Sequence, residues 1–218
     1  MPASAQATPP SSESLSLADE KRDVARTRIL RAARIVLADR GLATTVDDVA
    51  AAADVSRRTI FRHFETRERL LAEAIREGLR SYSQQLPLES LRAAADSADI
   101  AAWLHNMLLV AHRLNANNGR IYWELAALGE EVEGELAAVA ADRRDSRRRF
   151  ATRVAAHAWS AAGGSGRPPT WLTDAFAVHL SGFTTQALGG DFARTPDEVA
   201  AVSARVLQAS LAAALAGG

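Results

Sequence analysis

The chain has 218 residues, of which 48% are apolar and 24% charged, and its formal net charge at pH 7 is zero. It contains no cysteine, which excludes disulfides and thiolate metal sites. No run approaches the ~18 apolar residues of a membrane span, and the N-terminus has no apolar core of signal-peptide length. We therefore expect a cytoplasmic protein without a membrane segment. Ala and Leu dominate over β-branched residues, which favours helix.

The neutral total hides an uneven distribution of charge. Residues 1–20 are rich in Pro, Ser and Ala, carry three acids and no base, and are predicted to be a disordered tail. Residues 21–76 carry thirteen Lys and Arg against eight Asp and Glu, a net of +5. Residues 77–218 carry thirteen bases against fifteen acids. The positive charge therefore lies in one segment, where it could meet phosphates.

The basic segment begins with two predicted helices. Apolar residues between positions 29 and 37 recur at helical spacing and predict a first helix over 23–40. Gly41 follows as the left-handed residue that ends such a helix. A second helix is expected to begin at Thr45, because Thr45 and Asp48 have the spacing of a capping box.

A short third helix is predicted over 57–64, with Ser56 as its N-cap and Ile60 and Phe64 as its core positions. The residues left exposed are Arg57, Arg58, Thr59, Phe61, Arg62 and His63. A helix of two turns is poorly stable alone, so we interpret it as a probe held by its neighbours. Arginines near the start of such a helix suit the DNA major groove. A fourth helix follows the cap Thr66.

At this point the segment resembles the N-terminal domain of the TetR family of transcriptional regulators. The matching elements are Arg26, Ile29-Leu30, Ala32-Ala33, Gly41, Thr44-Thr45-Val46, Val49-Ala50, Val55-Ser56, Thr59-Ile60-Phe61, His63-Phe64 and Arg67-Glu68-Arg69-Leu70-Leu71. Three positions depart from the family pattern: Asp54 replaces the turn glycine, Phe61 a tyrosine and Arg67 a lysine. Phe61 therefore lacks a hydroxyl that could contact phosphate.

The resemblance implies an all-α protein with an N-terminal three-helix helix-turn-helix DNA-binding domain, followed by a helical ligand-binding and dimerisation domain. We place the boundaries at 21–68 and 69–218. Position by position, it implies phosphate contacts at Thr45, Thr59, His63 and Arg67, and base-edge contacts at Arg57, Arg58 and Arg62. Ser56 and Phe61 complete the predicted DNA-binding set. Because arginine pairs best with guanine, we expect guanine in the inner part of each operator half-site.

The remaining residues predict further helices at roughly 89–115, 120–128, 131–161, 170–188 and 196–214. Breaks are expected at 117–119, 163–166 and 189–190. The last two helices are rich in small residues, which allow close helix approach and predict a dimer interface. Its expected residues are Phe176, Leu180, Phe183, Ala187, Val202 and Val206. The alternative is that both helices cover the domain's own core.

Aromatic and polar residues of this region could build an effector pocket. The candidates are Trp103, Met107, Tyr122, Trp123, Trp159 and His179, and for each of them packed core is the alternative. The arginines within 143–149 follow an acidic stretch and are interpreted as a paired, solvated surface. A second nucleic-acid surface or an anionic effector site is the alternative for this run.

These observations predict a dimeric repressor that an unknown small-molecule effector releases from a palindromic double-stranded DNA operator. The alternative is a partner-controlled activator or an architectural DNA-binding protein without an inducer. The sequence has no GxSxG, phosphate-loop, cysteine-nucleophile or paired-carboxylate signature of catalysis, so we do not expect an enzyme. No cofactor is predicted, and without HExxH or a close His and carboxylate cluster no metal is expected.

Overall fold

The computed structural model describes residues 17–85, 100–128 and 133–217, which are almost entirely helical. The helices are α1 (Leu17–Arg40), α2 (Val46–Ala53), α3 (Arg57–Phe64), α4 (Arg67–Gln85), α5 (Ile100–Ala127), α6 (Glu135–Ala161), α7 (Thr170–His179), α8 (Gly182–Phe192) and α9 (Pro196–Ala216). A 3₁₀ turn, Gly41–Ala43, follows α1. The predicted tail over 1–16 and the predicted starts of helices 89–115 and 131–161 lie outside the described residues.

The first helix is longer than the sequence pattern predicted. It begins at Leu17 instead of residue 23, so the last four residues of the predicted tail are helical. Asp19 and Glu20 lie in its first turn, where negative charge is favourable beside the positive end of the helix dipole. The helix ends at Arg40, and Gly41 follows with a φ of +60°, as expected.

One apolar core holds α1 to α4 together and continues into the C-terminal helices. Ile29 of α1, Ile60 and Phe64 of α3 and Leu71 of α4 are buried almost completely. Ile121 and Leu125 of α5, with Val139 and Ala140 of α6, belong to the same cluster. The N-terminal helices are therefore packed directly onto two helices of the C-terminal part.

A second apolar core lies among α5, α6, α7 and α9. Its largest fully buried side chains include Leu104, Met107, Leu172, Phe176 and Leu207. Tyr82, near the end of α4, packs against both cores. The fourth helix therefore joins the two parts of the molecule along its length.

Two of the predicted helix breaks are wrong. The helix α5 runs without interruption through 117–119, where Asn118 donates its side-chain amide to the carbonyl of Leu114 at 2.9 Å. Beyond this point Ile121 and Leu125 enter the first core, and that packing outweighs the poor helix propensity of Asn and Gly. Similarly, 189–190 lies inside α8, which ends only at Phe192.

The predicted helix 170–188 is instead divided between α7 and α8. Leu180 and Ser181 separate them, and the Ser181 hydroxyl accepts a hydrogen bond from the Thr184 N–H at 3.2 Å. This N-cap starts a new helix where helical periodicity alone indicated continuation. The predicted break at 163–166 is confirmed.

The last helix meets the length and composition of a membrane span, contrary to the expectation from the sequence. In the structure it packs as a core helix: Val199, Ser203, Leu207 and Leu211 are buried along one face. It starts as predicted with Pro196 in the first turn, and Thr195 and Glu198 form a capping box. The length and apolar content of α9 are therefore explained by its packing, because neighbouring helices cover one of its faces.

His112 is a polar side chain buried in the C-terminal part. It is 0% exposed, and its Nδ1 lies 2.7 Å from the Thr185 hydroxyl. Burial lowers the pKa of His112 to about 4 from an ordinary value of 6.5, because the charged imidazolium would lose its hydration. The imidazole is therefore neutral in the folded protein at pH 7.

This lowered pKa predicts a loss of stability in mild acid. Between pH 6.5 and 4 the unfolded chain binds a proton at His112 that the folded chain does not, so the free energy of unfolding falls as the pH falls. In urea titrations, His112→Asn should reduce that slope by about 1.4 kcal/mol per pH unit.

The slope should not vanish, because burial also lowers the pKa values of His157 and His179. Asparagine can keep the hydrogen bond to Thr185 and does not titrate. An unchanged slope in His112→Asn would contradict this account of the buried histidine.

Candidate nucleic-acid interface

Local caps fix the start and end of the helix before the candidate recognition helix. The Asp48 N–H donates to the Thr45 hydroxyl at 3.2 Å, and the Thr45 N–H donates to the Asp48 carboxylate at 3.0 Å. The Thr45 hydroxyl also donates to this carboxylate at 2.7 Å, and it lowers the pKa of Asp48 together with the Thr45 N–H. At the other end, Asp54 ends α2 with a φ of +50°, so an aspartate holds the left-handed position.

The candidate recognition helix α3 is held at its N-terminus by a cap and along its inner face by the core. The Ser56 hydroxyl accepts a hydrogen bond from the Thr59 N–H at 3.1 Å, as the sequence predicted. Ile60 and Phe64 anchor its inner face in the core. The Arg26 guanidinium of α1 lies 5.3 Å from the centre of the Phe64 ring and also bonds Glu73 of α4. The helix is thereby fixed relative to both neighbours.

Two arginines on the outer face of α3 are available to an outside partner. Arg58 and Arg62 are exposed and lie one helical turn apart. Neither has a hydrogen-bond or ion-pair partner within residues 17–85, 100–128 and 133–217. Phe61, between them in sequence, is 37% exposed and presents an apolar ring on the same short helix. A DNA base edge or phosphate could therefore bind both guanidinium groups without displacing a protein partner.

Arg57 differs from its neighbour Arg58. Its Nη1 lies 2.9 Å and 3.2 Å from the two carboxylate oxygens of Asp47, and its guanidinium lies 5.6 Å from the Phe61 ring centre. Such an exposed pair is weak, and DNA could replace it. A base contact by Arg57 would nevertheless require exchange of this partner.

Arg67 is placed differently from the expectation that it is free for phosphate. Its Nε donates to the carbonyl of Thr44 at 2.8 Å, and its Nη2 donates to the carbonyl of Leu42. These carbonyls offset a cation that would otherwise be unfavourable at the start of a helix. Its Nε and Nη2 thus hold the turn between α1 and α2, and its Nη1 lies 3.4 Å from the Glu68 carboxylate, which leaves less of the guanidinium for DNA.

A basic groove extends the candidate interface from α3 to α1. Lys21 and Arg22 of α1 line it together with Arg62 and His63. Burial lowers the pKa of His63, and the neighbouring Arg62, Arg22 and Arg26 lower it further. At neutral pH His63 would therefore contact phosphate as a hydrogen-bonding group and not as a cation. The sequence indicated the local positive charge but did not identify Lys21 and Arg22 as part of the site.

The turn after α1 ties this DNA-binding part to α5. The Leu42 N–H donates to the Glu124 carboxylate, and Arg120 donates to the carbonyl of Asp39 at 2.9 Å. Glycine suits the positive φ of Gly41, and a Cβ there would displace the Glu124 carboxylate from its present position. We name residues 41–44 the joint turn.

Five of the six residues predicted to bind an effector have described side chains. The sixth, Tyr122, has a side chain outside the described part of the structure. Trp103, Met107 and Trp159 pack in the second core. His179 is half-buried and pairs with the Ser203 hydroxyl at 3.2 Å. Trp123 is 50% exposed and packs edge-on against Phe183, with ring centres 4.9 Å apart.

The principal cavity lies among α4, α5, α6 and the junction of α7 with α8, and has a volume of about 120 Å³. Leu79, Tyr82, Asn115, Phe150 and Leu180 are among its lining residues. None of the five effector candidates with described side chains lines it. The described aromatic candidates pack in the core or at the surface, while the cavity is formed where helix ends meet.

The predicted dimer residues divide into buried and exposed groups. Phe176 and Leu180 are buried within the chain's own core and cannot contact a second copy in this conformation. Phe183 is half-buried, whereas Ala187 of α8 and Val202 and Val206 of α9 are exposed. The two valines lie one turn apart and are 39% and 40% exposed.

Comparison with known proteins agrees with the helix-turn-helix interpretation. Residues 29–74 match the model of bacterial regulatory proteins of the tetR family. No curated protein sequence is significantly similar to the chain.

Among solved structures, a tetR-family transcriptional regulator from Streptomyces coelicolor superposes with a TM-score of 0.69 at 17% identity, covering 90% of this chain and 84% of that one. A regulator of the TetR/AcrR family from Thermobifida fusca YX-ER1 superposes with a TM-score of 0.56 at 20% identity, covering 84% and 95%. At these identities the structures show a shared fold. The matched residues 29–74 form a helix-turn-helix DNA-binding segment of the tetR family type, and the described chain has the all-α fold of the two regulators.

Proposed function

We propose that the protein is a dimeric repressor that binds a palindromic DNA operator and is released from it by a small-molecule effector. The observation that carries this proposal is the pair Arg58 and Arg62, which have no hydrogen-bond or ion-pair partner among the described residues and lie on a helix fixed at its cap and core. Such a helix loses little conformational freedom when it enters the major groove. A cytoplasmic location follows from this role.

The side chains divide into base readers and phosphate contacts. Arg58 and Arg62 read guanine edges, and Arg57 joins them where Asp47 releases it. Thr45, Thr59, His63 and Lys21 contact phosphates and set the position of the helix on DNA. We divide the chain at the start of α4, with 21–68 as the DNA-binding domain and 69–218 as the regulatory domain.

Dimerisation uses the exposed side of the last two helices. Val202 and Val206 of α9 and Ala187 of α8 offer small, exposed apolar side chains that allow two helices to approach closely. A two-fold axis through such a surface makes the contact self-complementary. It also presents two copies of α3 to half-sites about one helical turn of DNA apart, or a multiple of it.

The principal cavity is the proposed effector site, and α4 connects it with α3. Leu79 and Tyr82, in the second half of α4, line the cavity, and the Tyr82 hydroxyl donates to Asn115 Oδ1 at 3.1 Å. Arg67, at the start of α4, holds the joint turn. A ligand that prefers a different position of α4 would shift the spacing of the two recognition helices and so lower operator affinity.

The role of Arg58 is tested by measuring base preference. With an operator selected from random DNA, Arg58→Ala should weaken binding by about 1–3 kcal/mol and remove the preference for guanine at one position of each half-site. Fluorescence anisotropy on the operator and on its single-base variants measures both effects.

Lys21→Ala is the matched control, because a phosphate contact should weaken binding by the same factor on every sequence. If Arg58→Ala also lowered affinity equally on all operator variants, Arg58 would be a phosphate contact and the assignment would be wrong.

The dimer surface is tested by placing a charge on it. Val206→Arg should convert the protein to a monomer at micromolar concentration in sedimentation experiments, because two like charges would meet across the two-fold axis. The side chain is already 40% exposed, so the variant should remain folded. Ile35→Arg, an exposed position on α1, is the matched control and should stay dimeric. A wild-type monomer, or a dimeric Val206→Arg, would refute this interface.

A further inference from the structure

We propose that the principal cavity binds an organic carboxylate with a body of about one ring, whose carboxylate is held by the guanidinium of Arg147. This inference rests on the proposed function only in taking the cavity as the effector site. It adds the chemical class of the ligand and the residue that selects it.

The size and apolar part of the cavity define the body of the ligand. Its volume of about 120 Å³ is close to that of the apolar protein cavities of roughly 150 Å³ that accept benzene. Leu79, Phe150 and Leu180 supply apolar surface. A body of one ring or a short branched chain would therefore fit without rearrangement of the fold.

The charge of the lining defines the head of the ligand. Arg143, Arg147 and Arg153 all line the cavity, and no Asp or Glu is among its lining residues in the described part of the chain. Arg147 is half-buried, so water screens its charge less than that of an exposed arginine. A cationic ligand would be repelled in this environment, whereas an anion would be attracted.

Arg147 is the lining arginine to which we assign the carboxylate. Its Nη2 donates to the carbonyl of Ala177 at 2.8 Å, and its guanidinium lies 5.8 Å from the ring centre of Phe183. Its Nε is buried and has no hydrogen-bond partner within the described residues. Burial lowers the pKa of Arg147, because the charged guanidinium has lost part of its hydration.

A carboxylate meets these requirements better than other ligand classes. The planar guanidinium matches the two oxygens of a carboxylate, and the ion pair would compensate a cation that has already lost part of its hydration. A neutral ligand would leave the positive charge without a counterion. A dianionic phosphate would bring more charge and more acceptor oxygens into a lining that is largely apolar.

The same contacts connect the ligand to regulation. Leu79 and Tyr82 belong to the helix that starts beside the joint turn, so a ligand bound to Arg147 on α6 would also touch α4. The anion would hold α6 and α4 in one relative position. A carboxylate bound to Arg147 would therefore bridge α6 and α4.

The test compares four ring compounds that differ in their head group: benzoate, benzamide, benzylamine and phenyl phosphate. Isothermal titration calorimetry on the full chain without DNA should give binding of benzoate, at least tenfold weaker binding of benzamide and phenyl phosphate, and none of benzylamine. Thermal melting should show the same order. Equal binding of benzoate and benzamide, stronger binding of phenyl phosphate, or no binding of benzoate would overturn the proposal.

Two variants assign the effect to Arg147. Arg147→Met should lower benzoate affinity to that of benzamide, whereas Arg144→Met, an exposed position on the same helix outside the cavity lining, should leave it unchanged. Arg147→Lys keeps the charge but loses the planar fork, and should bind benzoate with intermediate affinity. If Arg147→Met does not fold, the benzoate affinity of Arg147→Lys tests the assignment by itself. Undiminished benzoate binding in Arg147→Lys and in any folded Arg147→Met would refute the assignment.

An operator-binding measurement separates this inference from the proposed function. If benzoate binds through Arg147 but leaves operator affinity unchanged, the assignment of the ligand class is supported. The proposal that a ligand in this cavity releases the protein from its operator is then wrong. If benzoate fails to bind, the carboxylate assignment is wrong while DNA binding by α3 is unaffected.

Discussion

The arrangement of the whole molecule depends on the short turn at residues 41–44. Gly41 has a φ of +60° there and allows the Glu124 carboxylate to reach the Leu42 N–H, while Arg67 binds two carbonyls of the same turn. Helices α1, α2, α4 and α5 therefore meet at one hydrogen-bonded point. Because the apolar core also continues from α3 into α5 and α6, the recognition helix is part of the same packed body as the regulatory helices. A change in the position of α4 or α5 must therefore change the position of α3.

The protein uses the same side chain, arginine, in physically different ways. Arg58 and Arg62 are exposed and have no partner in the described part of the chain, which suits contact with DNA. Arg67 is used within the fold to hold the joint turn, and Arg147 lies half-buried at the cavity with one donor unused. What separates these roles is burial and the supply of acceptors, because an exposed cation costs little without a partner whereas a buried one must find an anion. Net charge, which is zero for the chain, carries none of this information.

Features that depend on residues close together in sequence, such as helix caps, could be predicted from the sequence. Features that depend on contacts between distant residues could not. The caps at Thr45 and Ser56 and the left-handed residue Gly41 were predicted because each depends on its immediate neighbours. The continuity of α5 through 117–119 depends on core packing from another part of the chain. The partners of Arg67 and the lining of the cavity are likewise set by residues far apart in sequence. Trp103 and Trp159 pack in the second core, which is the alternative that the sequence left open for them.

The central claim is that the DNA-binding helices and the regulatory helices move as one body because Glu124 holds the joint turn. The chain has no cysteine, so Ala51→Cys on α2 and Arg149→Cys on α6 would provide two unique labelling sites. Pulsed electron paramagnetic resonance between spin labels at these positions, with unlabelled protein in excess, measures the distance within one chain. A single narrow distance distribution that broadens when Glu124→Ala is introduced is the predicted result. Distributions of equal width with and without the Glu124 side chain would contradict the claim.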